Sequence, residues 1–317
     1  MSEIAGLAAK LDEANTTFET ALEALSDLLP QSADIFSYDG GPLTGQQLDV
    51  SWVENAGGTR ERLPGETLTM DGGRAYGAKY PLRTFTRTFS ILRKDVEYDE
   101  NGKVAASIRK FMADLPTMLD ERLYATILDT TLTGVDDVAL FSNSHPFAPG
   151  GGTQDNLAAG TALDASAYEA AKAALRGYQK ENAEFVNQTG GTHLIVGQGL
   201  ERTALEITGA ENRPVAVNSS GAEDGTRIAV AAIENVYRGT STVIVTPRMP
   251  ADAWMLINGS SANEKPIAYR VGNGGPRAIP VCTTESEVAK TDRYEWLIEL
   301  DMAAGPAHWM RCYGRPS

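Results

Sequence analysis

Few residues in this 317-residue chain are equipped for chemistry. It holds three histidines, His145, His193 and His308, and two cysteines, Cys282 and Cys312. The histidines are isolated from one another, so no HExxH pair or His/Cys cluster with metal-ligand spacing can be written. The cysteines lie far apart in no zinc or redox spacing and read as free buried thiols. Nucleophilic catalysis needs a base held beside its nucleophile, and neither GxSxG nor a Cys/His signature occurs. Ser144-His145 is only a neighbouring pair in a proline-containing loop. Gly150-Gly151-Gly152 is followed by no GK[ST], and no strand leads into a GxGxxG at a helix start, so phosphate-cradling loops fail too. Asp136-Asp137 and Glu223-Asp224 lack the spacing of a calcium loop and read as solvated turn carboxylates. The sequence therefore predicts no catalytic residue, no metal and no cofactor.

With chemistry set aside, the elements become the subject. An apolar fraction of 42% suffices for a buried core in one large domain or two ordinary ones. No apolar run of about 18 residues occurs, and the start MSEIAGLAAKLDE lacks the basic and apolar regions of a secretory signal, so a soluble chain made in a cytoplasm is expected, with no membrane partner. The net charge of -14 disfavours sequence-reading of nucleic acid, which calls for basic surface to neutralise phosphates. It is compatible with a container around nucleic acid, which need not attract what it holds.

Residues 4–29 place Ile4, Leu11, Phe18 and Leu25 at seven-residue intervals, with Leu7, Ala14, Ala21 and Leu28 interleaved, so one helix face is apolar. Pro30 stops the helix. Its partner is either the chain's own core or a neighbouring subunit. Residues 31–75 are glycine-rich around Leu48, Val50 and Trp52. Residues 80–92 then alternate as a strand, with Arg83, Phe85, Arg87, Phe89 and Ile91 on one face. Between 51 and 94, eight basic residues (Arg60, Arg62, Arg74, Lys79, Arg83, Arg87, Arg93, Lys94) face four acidic ones, a local +4. This predicts a long basic hairpin projecting as an arm onto acidic surface of another copy. The candidate contacts are Arg60, Arg62, Arg74 and Lys79 on the arm, with Ile4, Leu11, Phe18 and Leu25 on the N-terminal helix.

After the Asn101-Gly102 turn, apolar residues from Val104 to Leu132 recur at helical spacing, a helix of about 45 Å that Pro116 should kink. A loop from Gly134 to Gly160 contains FSNSHPF. A second helix is expected from Asp164, as its N-cap, to about Asn187. From His193 the texture becomes that of an α/β unit: HLIVG, TVIVTP and AWMLIN as short strands, a helix near Leu200–Ile207, and a polar loop from Gly209 to Gly225. RYEWLIEL and PAHWMRCYG supply closing strands, with a break at Gly305-Pro306.

The order of these parts resembles the tailed-phage capsid fold of the Hong Kong 97 type, an α+β fold. That resemblance divides the chain into an N-terminal arm (1–50), an E-loop hairpin (51–94), a peripheral domain with a spine helix (95–190), an axial domain (191–261) and return strands of the peripheral domain (262–317). Within that fold, RTFSILRKDVEYDENGKVAASIRKFMADLPTMLDERLYATIL, then LFSNSHPF and TQDNL, is similar to the Mu-like major head subunit. The Phe-x-x-x-His-Pro loop closing on Asn-Leu corresponds to Phe141, His145, Pro146, Asn156 and Leu157. The resemblance implies a non-enzymatic major capsid protein that assembles with itself into hexamers and pentamers of an icosahedral shell. It implies portal, scaffolding and decoration proteins as partners, packaged double-stranded DNA bound without sequence recognition, a place in the virion head, and assembly in the host cytoplasm. Competing readings are an encapsulin-like compartment, against which the His-Pro loop argues, and a soluble hydrolase or binding protein centred on the 193–258 unit.

Overall fold

A computed structural model describes residues 16, 17, 20, 32–54, 74–98, 102–146, 151–180, 184–186, 189–218, 228–272, 275–282 and 284–316. In chain order the strands are β1 (Ser37–Asp39), β2 (Gln47–Glu54), β3 (Arg74–Pro81), β4 (Arg83–Leu92), β5 (His193–Val196), β6 (Asn212–Asn218), β7 (Ile228–Glu234), β8 (Thr242–Val245), β9 (Trp254–Ile257), β10 (Ile267–Val271), β11 (Arg277–Cys282), β12 (Arg293–Pro306) and β13 (Cys312–Arg315). The helices are α1 (Arg93–Glu97), α2 (Lys103–Ala113), α3 (Leu115–Leu128), α4 (Ala165–Gly177), α5 (Glu201–Thr208) and α6 (Glu285–Thr291).

The alternation in RYEWLIEL makes β12 the centre of the larger sheet. Tyr294, Trp296, Ile298, Leu300 and Met302 are all buried on one face, as a period of two requires of a half-covered strand. One edge of β12 carries β4 along its length, antiparallel from Arg293↔Leu92 to Met302↔Arg83. Its other edge carries β11 and then β10, with β1 parallel to β10. Against the buried face pack α2 and α3, where Phe89 meets Phe111 with ring centroids 4.9 Å apart. Pro116 does more than kink the expected helix. The helix stops at Ala113 and restarts at Leu115 with the proline in its first turn, where a missing N–H costs no helical hydrogen bond. It also ends at Leu128 rather than near 132, because Asp129 Oδ1 accepts from the Thr131 amide (2.8 Å) and hydroxyl (2.6 Å) and turns the chain.

The smaller sheet runs β13-β9-β5-β8, with β5 and β8 parallel. Asp164 caps α4 as expected, accepting from the Ala167 amide at 2.7 Å. The helix ends at Gly177, ten residues short of the expected stop, where Tyr178 turns extended and its ring packs edge-on against Trp309. Within the expected 209–225 loop, residues 212–218 form a strand of a second hairpin, β6 and β7 pairing from Asn212↔Glu234 to Asn218↔Ile228, while 219–225 lie outside the described residues. The closing strands divide between the sheets. β12 continues through Pro306 instead of breaking at Gly305, and β13 pairs with β9 of the smaller sheet. One core joins both sheets, with Trp254, Trp296 and Trp309 all buried in it. Cys282 and Cys312 are buried free thiols within it.

Candidate assembly surface and its supports

The loop that carries FSNSHPF is held by a buried polar cluster. His145 is fully buried, its Nδ1 lies 2.6 Å from Asp136 Oδ2, and its ring stacks on Trp309 at 4.0 Å with the planes 4° apart. The Asn156 side-chain amide donates to the Leu140 carbonyl (2.7 Å) and faces the Trp309 carbonyl (3.3 Å). That fixes its orientation, so Oδ1 must accept, taking the Ser142 amide (2.8 Å) and His145 Nε2 (3.1 Å). Nε2 therefore donates to Asn156, and Nδ1 is in hydrogen-bond contact with the Asp136 carboxyl group. Asp136, expected as a solvated turn carboxylate, instead has a side chain only 1% exposed. Its neighbour Asp137 occupies a left-handed turn position, φ 60°. Beyond Asn156 the chain runs beside β13, with Ala158 N donating to Gly314 O (2.8 Å) and Gly314 N to Asn156 O (3.0 Å). A β-carbon on Gly314 would meet the Trp254 carbonyl at 2.4 Å, so only glycine permits this approach. The Asp–His dyad superficially resembles hydrolase machinery, but Asn156 occupies the second nitrogen, the ring sees no solvent, and Ser144 bonds toward Ser142. It clamps a loop and offers a substrate nothing.

The predicted arm is present with different limits. β2 and β3 pair from Gln47↔Pro81 to Glu54↔Arg74, whereas 83–92 leaves the hairpin at Leu82 and joins β12. The expectation of a two-stranded hairpin over 51–94 is corrected accordingly. The reason is that Phe89 and Ile91 belong to the core shared with Trp296. The hairpin is rooted on the open face of the larger sheet. Leu48, Val50 and Tyr80 are buried against Ala268 and Ala303, and Tyr80 Oη donates to the Pro306 carbonyl (2.6 Å) with the Thr133 carbonyl at 3.0 Å. Burial pushes this phenol well above its ordinary pKa. Gly305 lies beneath the ring: a β-carbon there would be 2.3 Å from it.

The new limits change the charge account. Within 47–81, Arg60, Arg62, Arg74 and Lys79 are outnumbered by Asp49, Glu54, Glu61, Glu66 and Asp71, a net of -1. The other basic residues of the expected +4 belong to the body. Arg87 lies over the Phe111 ring (5.1 Å), Arg83 lines a cleft against α3, and Arg93 pairs with Glu97 (2.6 Å). Of the candidate contacts, Lys79 is exposed on β3 and Arg74 is that strand's first residue. Arg60, Arg62, Ile4, Leu11, Phe18 and Leu25 lie outside the described residues.

Toward the far end of the β2–β3 pairing, Trp52 packs edge-on against His308 (5.7 Å) beside a cleft that also includes Glu264 and Arg311. Burial lowers the His308 pKa to about 4, with Glu264 opposing and Arg311 assisting. Glu264 is itself pushed up by burial, but its hydrogen bond and charge interaction with Arg311 more than offset this and hold it low. Among the described residues no group of three or more His, Cys, Asp or Glu side chains is placed to hold a metal ion, and no helix is long and apolar enough to cross a membrane.

Two sheets on one core, split helices under the larger sheet and a hairpin rooted on its open face make up the Hong Kong 97-like fold of phage capsids. Residues 75–313, more than half of the chain, match the family described as phage capsid protein, and the chain belongs to that family. Similar solved structures include the bacteriophage JBD30 capsid (TM-score 0.54, 14% identity, 69% of this chain and 91% of that one). The JBD30 procapsid gives 0.51 and 15%, over 98% of this chain and 75% of that one. Microbacterium phage Oxtober96 gives 0.52 and 13%, over 91% of each chain. No curated protein matches.

Proposed function

We propose that this protein is the major capsid subunit of a Mu-like tailed phage, forming hexamers and pentamers of an icosahedral head that encloses double-stranded DNA. The family match over 75–313 is the observation that carries the reading. The Mu-like assignment is supported by the Phe141, His145, Pro146, Asn156 and Leu157 signature, whose histidine and asparagine form the buried clamp. In this reading β2 and β3 are the E-loop arm, the larger sheet with α2 and α3 is the peripheral domain, and β5, β8, β9 and β13 belong to the axial domain. The arm, with Arg60, Arg62, Arg74 and Lys79, and the N-terminal stripe of Ile4, Leu11, Phe18 and Leu25 reach neighbouring copies. Many modest contacts repeated under symmetry then give a stable closed shell. Portal, scaffolding and decoration proteins would complete the head, and assembly would take place in the host cytoplasm. Sedimentation velocity of the purified full-length chain tests this. Capsomers or shells are expected, and a species that stays monomeric at all concentrations contradicts it.

A further inference from the structure

The larger sheet separates two surfaces of opposite sign. On its helix-covered side β4 presents Arg83 and Arg87, α2 presents Lys103, Arg109 and Lys110, and α3 presents Arg122, all exposed. Lys103 and Lys110 lie on the side of α2 away from buried Ile108 and Met112, so they stand clear of the sheet. Arg87 and Arg122 are braced, their guanidiniums 5.1 Å over the Phe111 ring and 4.6 Å over the Phe85 ring. The acids of the same stretch answer few of these charges. Asp120 is buried and holds Ser32. Asp129 is half-buried and held below the usual carboxylate range by the Thr131 hydroxyl and amide, with Arg83 assisting. Asp114 and Glu121 remain at the surface. On the open side of the sheet, β12 presents Glu295, Glu299 and Asp301 beside the Thr84, Thr86, Thr88 and Ser90 hydroxyls of β4. Arg277 of β11 is taken up there by Glu299 (3.3 Å) and Asp301 (2.9 Å).

In a chain of net charge -14, a side that gathers this many cations against so few exposed acids is suited to a polyanion. We propose that the side of the larger sheet formed by α2, α3 and β4 binds the phosphate backbone of double-stranded DNA without reading its sequence. The proposal rests on the shell reading for the presence of the duplex, and it turns this side toward the lumen and the acidic side away from it. Shape favours a duplex over an acidic peptide. Most of these charges stand on the outward faces of two helices, whereas an extended peptide needs a groove to lie in. A duplex carries one negative charge per ~1.7 Å of its axis, so side chains on a convex surface meet phosphates in any register. Each such contact releases counterions and is lost as salt rises. The chain's overall negative charge keeps the binding of one subunit weak, and repetition over a shell makes it count.

The test titrates a fluorescein-labelled duplex of arbitrary sequence, about 30 base pairs long, with full-length protein kept below the concentration at which shells form. Anisotropy is read across a salt series, and assembly is followed separately by sedimentation velocity. Binding at low salt is expected, with log K falling linearly against log salt. Lys103→Gln, Arg109→Gln and Lys110→Gln together should weaken it at least about tenfold at low salt and make the slope shallower by about 2–3. Arg202→Gln, Arg238→Gln and Lys290→Gln change the net charge equally elsewhere on the body and should leave binding within about twofold of wild type. If the α2 triple variant melts early, Lys110→Gln alone carries the comparison, with a slope shallower by about one. No binding by wild type at low salt, or equal losses in the two triple variants, overturns the proposal, while assembly into shells leaves the shell reading standing. Poly-L-glutamate that displaces the duplex better than unlabelled duplex does at equal charge also overturns it, assigning this side to an acidic protein. A chain that binds duplex here but stays monomeric at all concentrations removes the shell reading and the lumenal role with it.

Discussion

At the scale of single residues, the buried clamp makes the strongest statement. Removing one partner of a buried hydrogen-bonded pair leaves the other unsatisfied, and His145 also gives up its stack on Trp309, together a loss of about 2–4 kcal/mol. His145→Ala should therefore lower the unfolding free energy by about that amount, and Asn156→Ala by about 2–3 kcal/mol, through the stranded Leu140 and Trp309 carbonyls and the Ser142 amide. Urea titrations of soluble subunits measure both, and a change within about 0.5 kcal/mol, usual for exposed sites, would refute the clamp. His308 supplies a pH prediction with a definite sign. Its folded pKa of about 4 lies below the ordinary 6.5, so the unfolded chain binds the proton more readily. Stability is full above pH 6.5 and falls as pH drops toward 4, by up to roughly 3 kcal/mol. His308→Phe should flatten that part of the profile relative to wild type, and parallel profiles would contradict the account. The His-Pro loop is visible in the sequence as a motif. The role of Asp136 is not, because an Asp-Asp pair in a glycine-flanked loop gives no sign of which carboxylate turns inward.

At the scale of elements, legibility follows periodicity. β12 and β4 alternate over seven or more residues, and that alternation alone separates their two faces. The partner of β4 is not legible in the same way, because alternation says which face is buried and nothing about which strand lies beside it. Sequence proximity therefore joins 83–92 to the hairpin and adds the basic residues of β4 to the arm. Pro116 is legible as an interruption, but a kinked helix and two helices share one sequence pattern. β6 and β7 are hidden because a glycine-rich polar stretch connects them and masks their short alternations. The hairpin root offers a direct test of element placement. Gly305→Ala would drive a methyl group into the Tyr80 ring and should cost about 3 kcal/mol. Tyr80→Phe removes the hydroxyl that caps the Pro306 carbonyl and should cost about 1–3 kcal/mol. Hydrogen exchange at residues 47–54 and 74–81 should rise in both variants. Unchanged protection there would mean that the hairpin is rooted elsewhere.

At the scale of the whole molecule, one core holds both sheets, and the surfaces proposed to make a shell are the β2–β3 arm and the N-terminal segment. Residues 32 and 33 are tied down by Asp120 of α3, which accepts the Ser32 amide at 2.9 Å and its hydroxyl at 2.7 Å. The N-terminal stripe of Ile4, Leu11, Phe18 and Leu25 precedes this anchor. Deleting residues 1–29 should leave the melting temperature of the body within a few degrees of wild type while reducing particle yield, read by light scattering. A truncated chain that assembles normally sinks the docking role, and one that fails to fold returns the stripe to the chain's own core. The most direct test of the central claim is electron microscopy of the purified full-length protein. Closed icosahedral particles built of fivefold and sixfold capsomers are predicted, with the density of the β2–β3 arm crossing onto an adjacent subunit. Uniform monomers or small oligomers, or an arm folded back on its own body within a shell, would contradict the account.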